Sequence, residues 1–197
     1  MKFLARQVRT EFGLLTPQVR KSDLRRIYKK HSIQIDLWPH GFKKIRGAYF
    51  SDGSGVTVLI DRSLPEDPLI FTMAHELKHH LVDSELGLSY CSSDNESEPI
   101  EIGAEVFAAE LIFPEQDFAD RLSQMGVGYG GCNPEHLVRL KHDTKTTLSY
   151  AGLAKRATFM QFAVSGVFAG VRWKKLEEKI YGVPFYKLLQ QKRNYKP

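Results

Sequence analysis

Three observations predict an α+β fold, a small and mostly antiparallel sheet packed on site-bearing helices and followed by a C-terminal helical region. Three short apolar or alternating runs fall between residues 32 and 60, as strands do. Beyond them, apolar residues recur at helical spacing almost to the end of the chain. One of these helical stretches, Phe71 to Leu81, contains H-E-x-x-H. We expect residues 1–125 to hold the N-terminal helices, the sheet and two site-bearing helices, and residues 126–197 to form a helical region packed on them.

Composition narrows the class. The 197 residues are 42% hydrophobic and 26% charged, a balance that can bury a sizeable core. No run approaches the roughly 18 apolar residues of a membrane span, so no membrane contact is expected. The segment MKFLARQVRTEFGLL is basic but lacks an apolar region and a small-residue cleavage site, so no secretion signal is read. Cys91 and Cys132 make neither a disulfide framework nor a paired thiolate site, and a reduced, cytoplasmic setting fits. The net charge of +5 is unevenly spread. Residues 61–120 carry 15 acids against 2 bases, while residues 1–30 carry 9 Lys/Arg against 2 acids, so the middle suits a cation. The basic ends read first as solvated surface, with weak nucleic-acid contact as the alternative.

In chain order, residues 3–12 place Phe3, Leu4, Val8 and Phe12 on one helical stripe. Ser22-Asp23 reads as the cap of a second helix, Leu24 to His31, with Arg25, Arg26, Lys29 and Lys30 on its polar face. Ser32 to Leu37 alternates as a half-buried strand, and Trp38-Pro39-His40-Gly41 reads as a turn. Ile45–Phe50 and Val56–Ile60 read as a hairpin around Asp52-Gly53. Asp67-Pro68 reads as the start of the motif helix. The polar stretch 92–98 reads as a loop, and Pro99 opens a helix over Ile100–Ile112 that Pro114 stops. The glycine-rich 126–131 reads as a flexible loop; without a following Lys-Ser/Thr it is no phosphate loop. Asn133-Pro134 caps a helix to His142, another runs from Thr147 or Ser149 to Phe159, and a last one is expected over Gly166–Tyr181.

The site is read from spacing. Residues four apart share a helix face, so His75 and His79 can offer two imidazoles to one metal ion. Glu76, about 100° round the helix, suits a general base acting on an activated water. Random placement would produce this pattern in roughly 2% of chains of this composition, and its mid-helix position makes chance a poorer account still. A catalytic zinc takes three protein ligands. Glu101, on the next apolar helix, is the chosen third, with Glu96 and Glu98 as fallbacks. Glu105, one turn on from Glu101, is placed to orient a liganding histidine. Two neutral imidazoles and one carboxylate would leave such a site at +1, enough to acidify a bound water. Tyr49, Tyr90, His142 and Tyr150 are the candidates for steadying an oxyanion. His80 points away from His79 and reads as packing or as support around the ligands rather than as a ligand; His31, His40 and His136 read as surface or satisfied histidines. The donor set favours one Zn2+ per chain and tolerates Mn2+.

Phe71-Thr72-Met73-Ala74-His75-Glu76-Leu77-Lys78-His79-His80-Leu81 and the stretch Glu101 to Pro114 together resemble the ImmA/IrrE metallopeptidase family. Its pattern is roughly F-T-x-A-H-E-L-G-H-H, then E-x-x-A-[DN]-x-F-A-x-x-L-L-M-P. The resemblance extends over most of residues 20–176. It implies a zincin-type, gluzincin-like fold, with His75, His79 and Glu101 as zinc ligands, Glu76 catalytic and Glu105 beside the ligands. Lys78 stands where the family usually has Gly, Glu105 where it has Asp or Asn, and Phe113 where it has Met. The resemblance also implies the substrate, a helix-turn-helix repressor of a mobile element or stress response.

Two other readings remain open at this level. The chain could hold a metal without cutting, as a module that sequesters a repressor or toxin partner. Or Leu153 to Arg172, with Lys155, Arg156, Arg172, Lys174 and Lys175, could be a DNA-binding pair of helices. A C-terminal helical pair that merely packs is the plainer account of those residues.

Overall fold

The computed structural model describes residues 1–39, 45–53, 55–86, 88–92, 98–184 and 187. Contacts divide the chain into two compact units. The first is Met1–Asp120 with Thr144–Ser149, and the second is Arg121–Asp143 with Tyr150–Pro197.

The first unit is built on a four-stranded sheet: β1 (Ile33–Trp38), β2 (Ile45–Asp52), β3 (Gly55–Asp61) and β4 (Leu88–Ser92), in the order β1-β3-β2-β4. The expected hairpin is present, with Asp52 opposite Gly55 and Tyr49 opposite Val58. β4 adds to β2, also antiparallel. β1 runs parallel to β3, with Ile33 opposite Val56. The mostly antiparallel expectation therefore holds, with one parallel edge. Alternation puts Tyr49, Val58 and Ile60 into the core.

The α-helices of this unit are α1 (Lys2–Glu11), α2 (Lys21–Lys30), α3 (Glu66–Val82) and α4 (Pro99–Ile112), with the start of α5 (Glu115–Gln124). α2 begins three residues before Leu24, where the Ser22-Asp23 cap placed its start. Arg20 is at its N-cap, and its backbone N–H donates to the Asp23 carboxylate at 2.8 Å. α3 likewise starts before Asp67, at Glu66 after Pro65. Glu66 and Asp67 occupy its first turn, where carboxylates favour the positive end of the helix dipole.

α3 is buried nearly all round, because α2, α4 and the strands β2 and β3 all pack on it. Tyr28 of α2, itself buried, donates its hydroxyl to the Met73 carbonyl of α3 at 2.7 Å. α1 lies on α4. Arg9, buried, donates to the Leu111 and Ile112 carbonyls at 2.6 and 3.3 Å and to the Thr16 carbonyl at 3.3 Å. The last carbonyls of a helix lack partners within it, and Arg9 supplies them. Arg6 pairs at 2.7 Å with Glu110, whose other oxygen accepts from the Glu115 N–H. Thr144–Ser149 belongs to this unit too, and the Thr147 hydroxyl donates to the Val19 carbonyl at 2.9 Å.

Two elements were not expected from the sequence, β4 and α5. The signals for α5 are visible in hindsight. Pro114 precedes it and Gly126, at φ 74, ends it, with the Val127 N–H closing on the Leu122 carbonyl at 3.0 Å. Residues 40–44 and 93–97, read as parts of a turn and a polar loop, lie outside the described residues.

The second unit holds the end of α5, α6 (Pro134–Thr144), α7 (Tyr150–Phe159) and α8 (Trp173–Tyr181). Asn133 caps α6 as expected, accepting from the His136 N–H at 3.1 Å. The loop at 126–131 is more ordered than its composition suggested, since Gly131 bridges Ala163. The last helix is shorter than expected. Gly166 and Gly170 sit at φ 83 and φ 68, a left-handed backbone that turns the chain and delays the helix to Trp173. Trp173 stacks on Tyr150 with centroids 4.9 Å apart. Burial pushes the Cys132 thiol up to about 11, an inert thiol at neutral pH. Among the described residues, no helix is long and apolar enough to cross a membrane.

Arg9→Met should destabilise the metal-free protein by about 2–3 kcal/mol in urea titration, since it strips the charged donor from the end of α4.

Candidate metal centre

The site forms where the middle of α3 faces the first turn of α4. His75 and His79 are one helical turn apart, their rings 5.1 Å between centroids. Glu101 comes to meet them because Pro99 starts α4 only two residues earlier. His75 Nε2 is 2.9 Å from Glu101 Oε2, and His79 Nε2 is 3.6 Å from Glu101 Oε1. One ligand atom from each of the three lies within 4.8 Å of the others, and all three residues are buried. Donors held tetrahedrally around one zinc at its usual bond lengths are about 3.4 Å apart. These three residues could therefore hold such an ion with small side-chain adjustments.

The electrostatics suit a cation. Burial alone would raise the Glu101 carboxyl, but hydrogen bonds from His75 and His79 outweigh it and bring it down to about 2. Burial lowers the His75 pKa, favouring the neutral ring that binds metal, while Glu101 pulls the other way. With Glu101 ionised, the proton between them sits on His75 Nε2, so metal binding there must displace it, to Nδ1 of the same ring or to solvent.

Glu76 is fully buried, and among the described residues neither of its oxygens has a hydrogen-bond partner. Burial, and then the charge of Glu101, push its pKa well above the usual carboxylate range. A buried orphan carboxylate is costly, and a cation beside it is the simplest compensation. Gly47 of β2 faces it. A Cβ at Gly47 would lie 2.6 Å from Glu76 Oε1 and 2.6 Å from Thr72 Cγ2, so only glycine leaves this space open.

Asp83 was not singled out in the sequence. It follows α3 directly, and its Oδ2 accepts from His79 Nδ1 at 2.8 Å and from Lys78 Nζ at 2.5 Å. Its position four residues after His79 was a usable signal. Glu105 is half-buried one turn beyond Glu101, near enough to His75 for its charge to raise that ring's pKa.

The remaining candidates fall out as follows. Tyr49 is buried, with its hydroxyl 3.3 Å from His80 Nδ1, and His80 meets His31 edge-on at 5.4 Å. His142 stacks on Tyr181 in the second unit, as Tyr150 does on Trp173. Glu98 is exposed at the N-cap of α4. His40, Glu96 and the Tyr90 side chain lie outside the described residues.

The model of the peptidase M78 family, the IrrE N-terminal-like domain, matches residues 29–144. No curated protein matches the chain.

Gly47→Ala should cost about 1–3 kcal/mol by overpacking against Glu76 and Thr72. Its thermal unfolding, compared with that of Gly53→Ala, where a Cβ meets nothing within 4 Å, measures this.

Proposed function

The chain belongs to the peptidase M78 family of metallopeptidases, and from that premise we propose that it is a zinc-dependent endopeptidase. Its substrate is a protein. His75, His79 and Glu101 hold the metal and Glu76 is the general base. The observation that carries this reading is the buried Glu76 carboxylate, without a hydrogen-bond partner among the described residues, on the helix that carries two of the three convergent donor residues. A structural or purely sequestering site has no use for such a group.

The donor set of two imidazoles and one carboxylate suits zinc and tolerates manganese. When bound, the ion supplies Lewis-acid polarisation of a peptide carbonyl and acidifies a water molecule. Glu76 takes the proton of the attacking water and passes it to the leaving amine. Its carboxylate is free to do so because Gly47 presents no side chain and, among the described residues, no protein donor occupies it. Asp83 accepts from His79 Nδ1, which leaves Nε2 of that ring, on the Glu101 side, as the ligand atom. Site-specific cleavage of a helix-turn-helix repressor, in the cytoplasm, is the role the family resemblance suggests.

Two variants test the reading. Wild type should carry one zinc per chain by mass spectrometry, and His79→Ala should lose it. Glu76→Gln should keep the zinc but cut a candidate repressor about 10²–10⁴-fold more slowly. Undiminished cleavage by Glu76→Gln would refute the mechanism.

A further inference from the structure

Lys78 is a charged residue in the middle of the most buried helix, 2% exposed. A buried ammonium is costly unless it is paired and hydrogen-bonded. Here it is both. Lys78 Nζ donates to Asp83 Oδ2 at 2.5 Å and to the Ile100 carbonyl at 2.9 Å. Its stem lies along α4, where a Cβ at Gly103 would come within 3.5 Å of Cε. The same Asp83 oxygen accepts from His79 Nδ1 at 2.8 Å. A continuous chain of bonds therefore runs from His79 through Asp83 and Lys78 to the backbone one residue before Glu101.

This chain joins the two helices at the point where each carries a proposed metal ligand. Asp83 stands just past the end of α3, where its backbone N–H donates to the His79 carbonyl. Among the described residues, its carboxylate without Lys78 keeps one partner, the ring it orients. With Lys78 it is anchored from the side of α4. We infer that Lys78 is a positioning residue for the metal centre, fixing Asp83 against His79 and holding the start of α4 at the distance that lets Glu101 share an ion with the histidines. This rests on the proposed metal site. It adds that the geometry of the site is set by a lysine that never touches the ion.

The competing account treats Lys78 as a charge and nothing more. The two predict opposite signs. A bare positive charge near a cation site repels the ion, so its removal would tighten zinc binding. A positioning residue, when removed, loosens the ligands, and outer partners of liganding histidines are typically worth 10–100-fold in metal affinity.

The experiment is zinc affinity by competition with a chelator, for wild type, Lys78→Met, Asp83→Ala, the double variant and Lys29→Met as an exposed control. The inference expects Lys78→Met to weaken zinc about tenfold or more. It expects Asp83→Ala to do at least as much, and the double variant no more than Asp83→Ala alone, because Lys78 acts through Asp83. The His79 Nδ1 proton should give a slowly exchanging NMR resonance in zinc-loaded wild type and lose it in both single variants. Should Lys78→Met fail to fold, Lys78→Gln, which removes the charge but leaves a polar head for the Ile100 carbonyl, carries the same affinity test. Unchanged or tighter zinc in the Lys78 variants, with wild type binding normally, would overturn the inference alone. Failure of wild type to bind zinc would instead overturn the metal site itself.

Discussion

The structure depends on burying four ionisable side chains along one helix. His75, Glu76, Lys78 and His79 follow one another in α3, which is covered by α2, α4 and the sheet. Each such group is unfavourable in an apolar interior unless something answers it. The surrounding elements are arranged to do so. The first turn of α4 brings Glu101 to the imidazoles, the residue after α3 brings Asp83 to His79 and Lys78, and β2 contributes a glycine where a side chain would strike Glu76. Of these four, the Glu76 carboxylate is the one without a hydrogen-bond partner among the described residues, and that is the group to which the chemistry is assigned.

Rigidity around α3 comes from outside it. Tyr28 bonds the Met73 backbone, and Arg9 caps the end of α4 from α1. The N-terminal segment, which precedes the sheet in sequence, thus braces the two helices that carry the site. A site that must hold three donors near one point gains from such support, because displacements of about an ångström are costly in catalysis.

Much of this was legible in the sequence. The motif helix, the hairpin at Asp52-Gly53 and the helix after Pro99 each carried a local signal, either a period or a turn residue with a fixed backbone preference. That His75, His79 and Glu101 converge was expected from helical spacing and from the ligand count of a catalytic zinc site. What was missed depended on tertiary partners. β4 is a strand because β2 offers it an edge, and nothing in Leu88–Ser92 alone demanded pairing. The extent of α8 was overestimated because apolar spacing continued through Gly166 and Gly170, and the backbone preference of those glycines prevailed. The parts of Gly47 and Lys78 are set by what faces them across the core; the sequence marked Lys78 only as a departure from the family pattern, and Gly47 not at all.

The path of the chain between its two units has a practical consequence. After Asp120 the backbone leaves the first unit, and it returns for Thr144–Ser149 before leaving again. That short return supplies the Thr147 hydroxyl to the Val19 carbonyl, with Thr146 and Leu148 buried alongside. A premature stop anywhere between residues 121 and 143 would therefore strip the first unit of a piece of its own core, although all three donor residues lie upstream. The portion that carries the site is not a severable N-terminal fragment, and its integrity is vulnerable to damage far along the polypeptide.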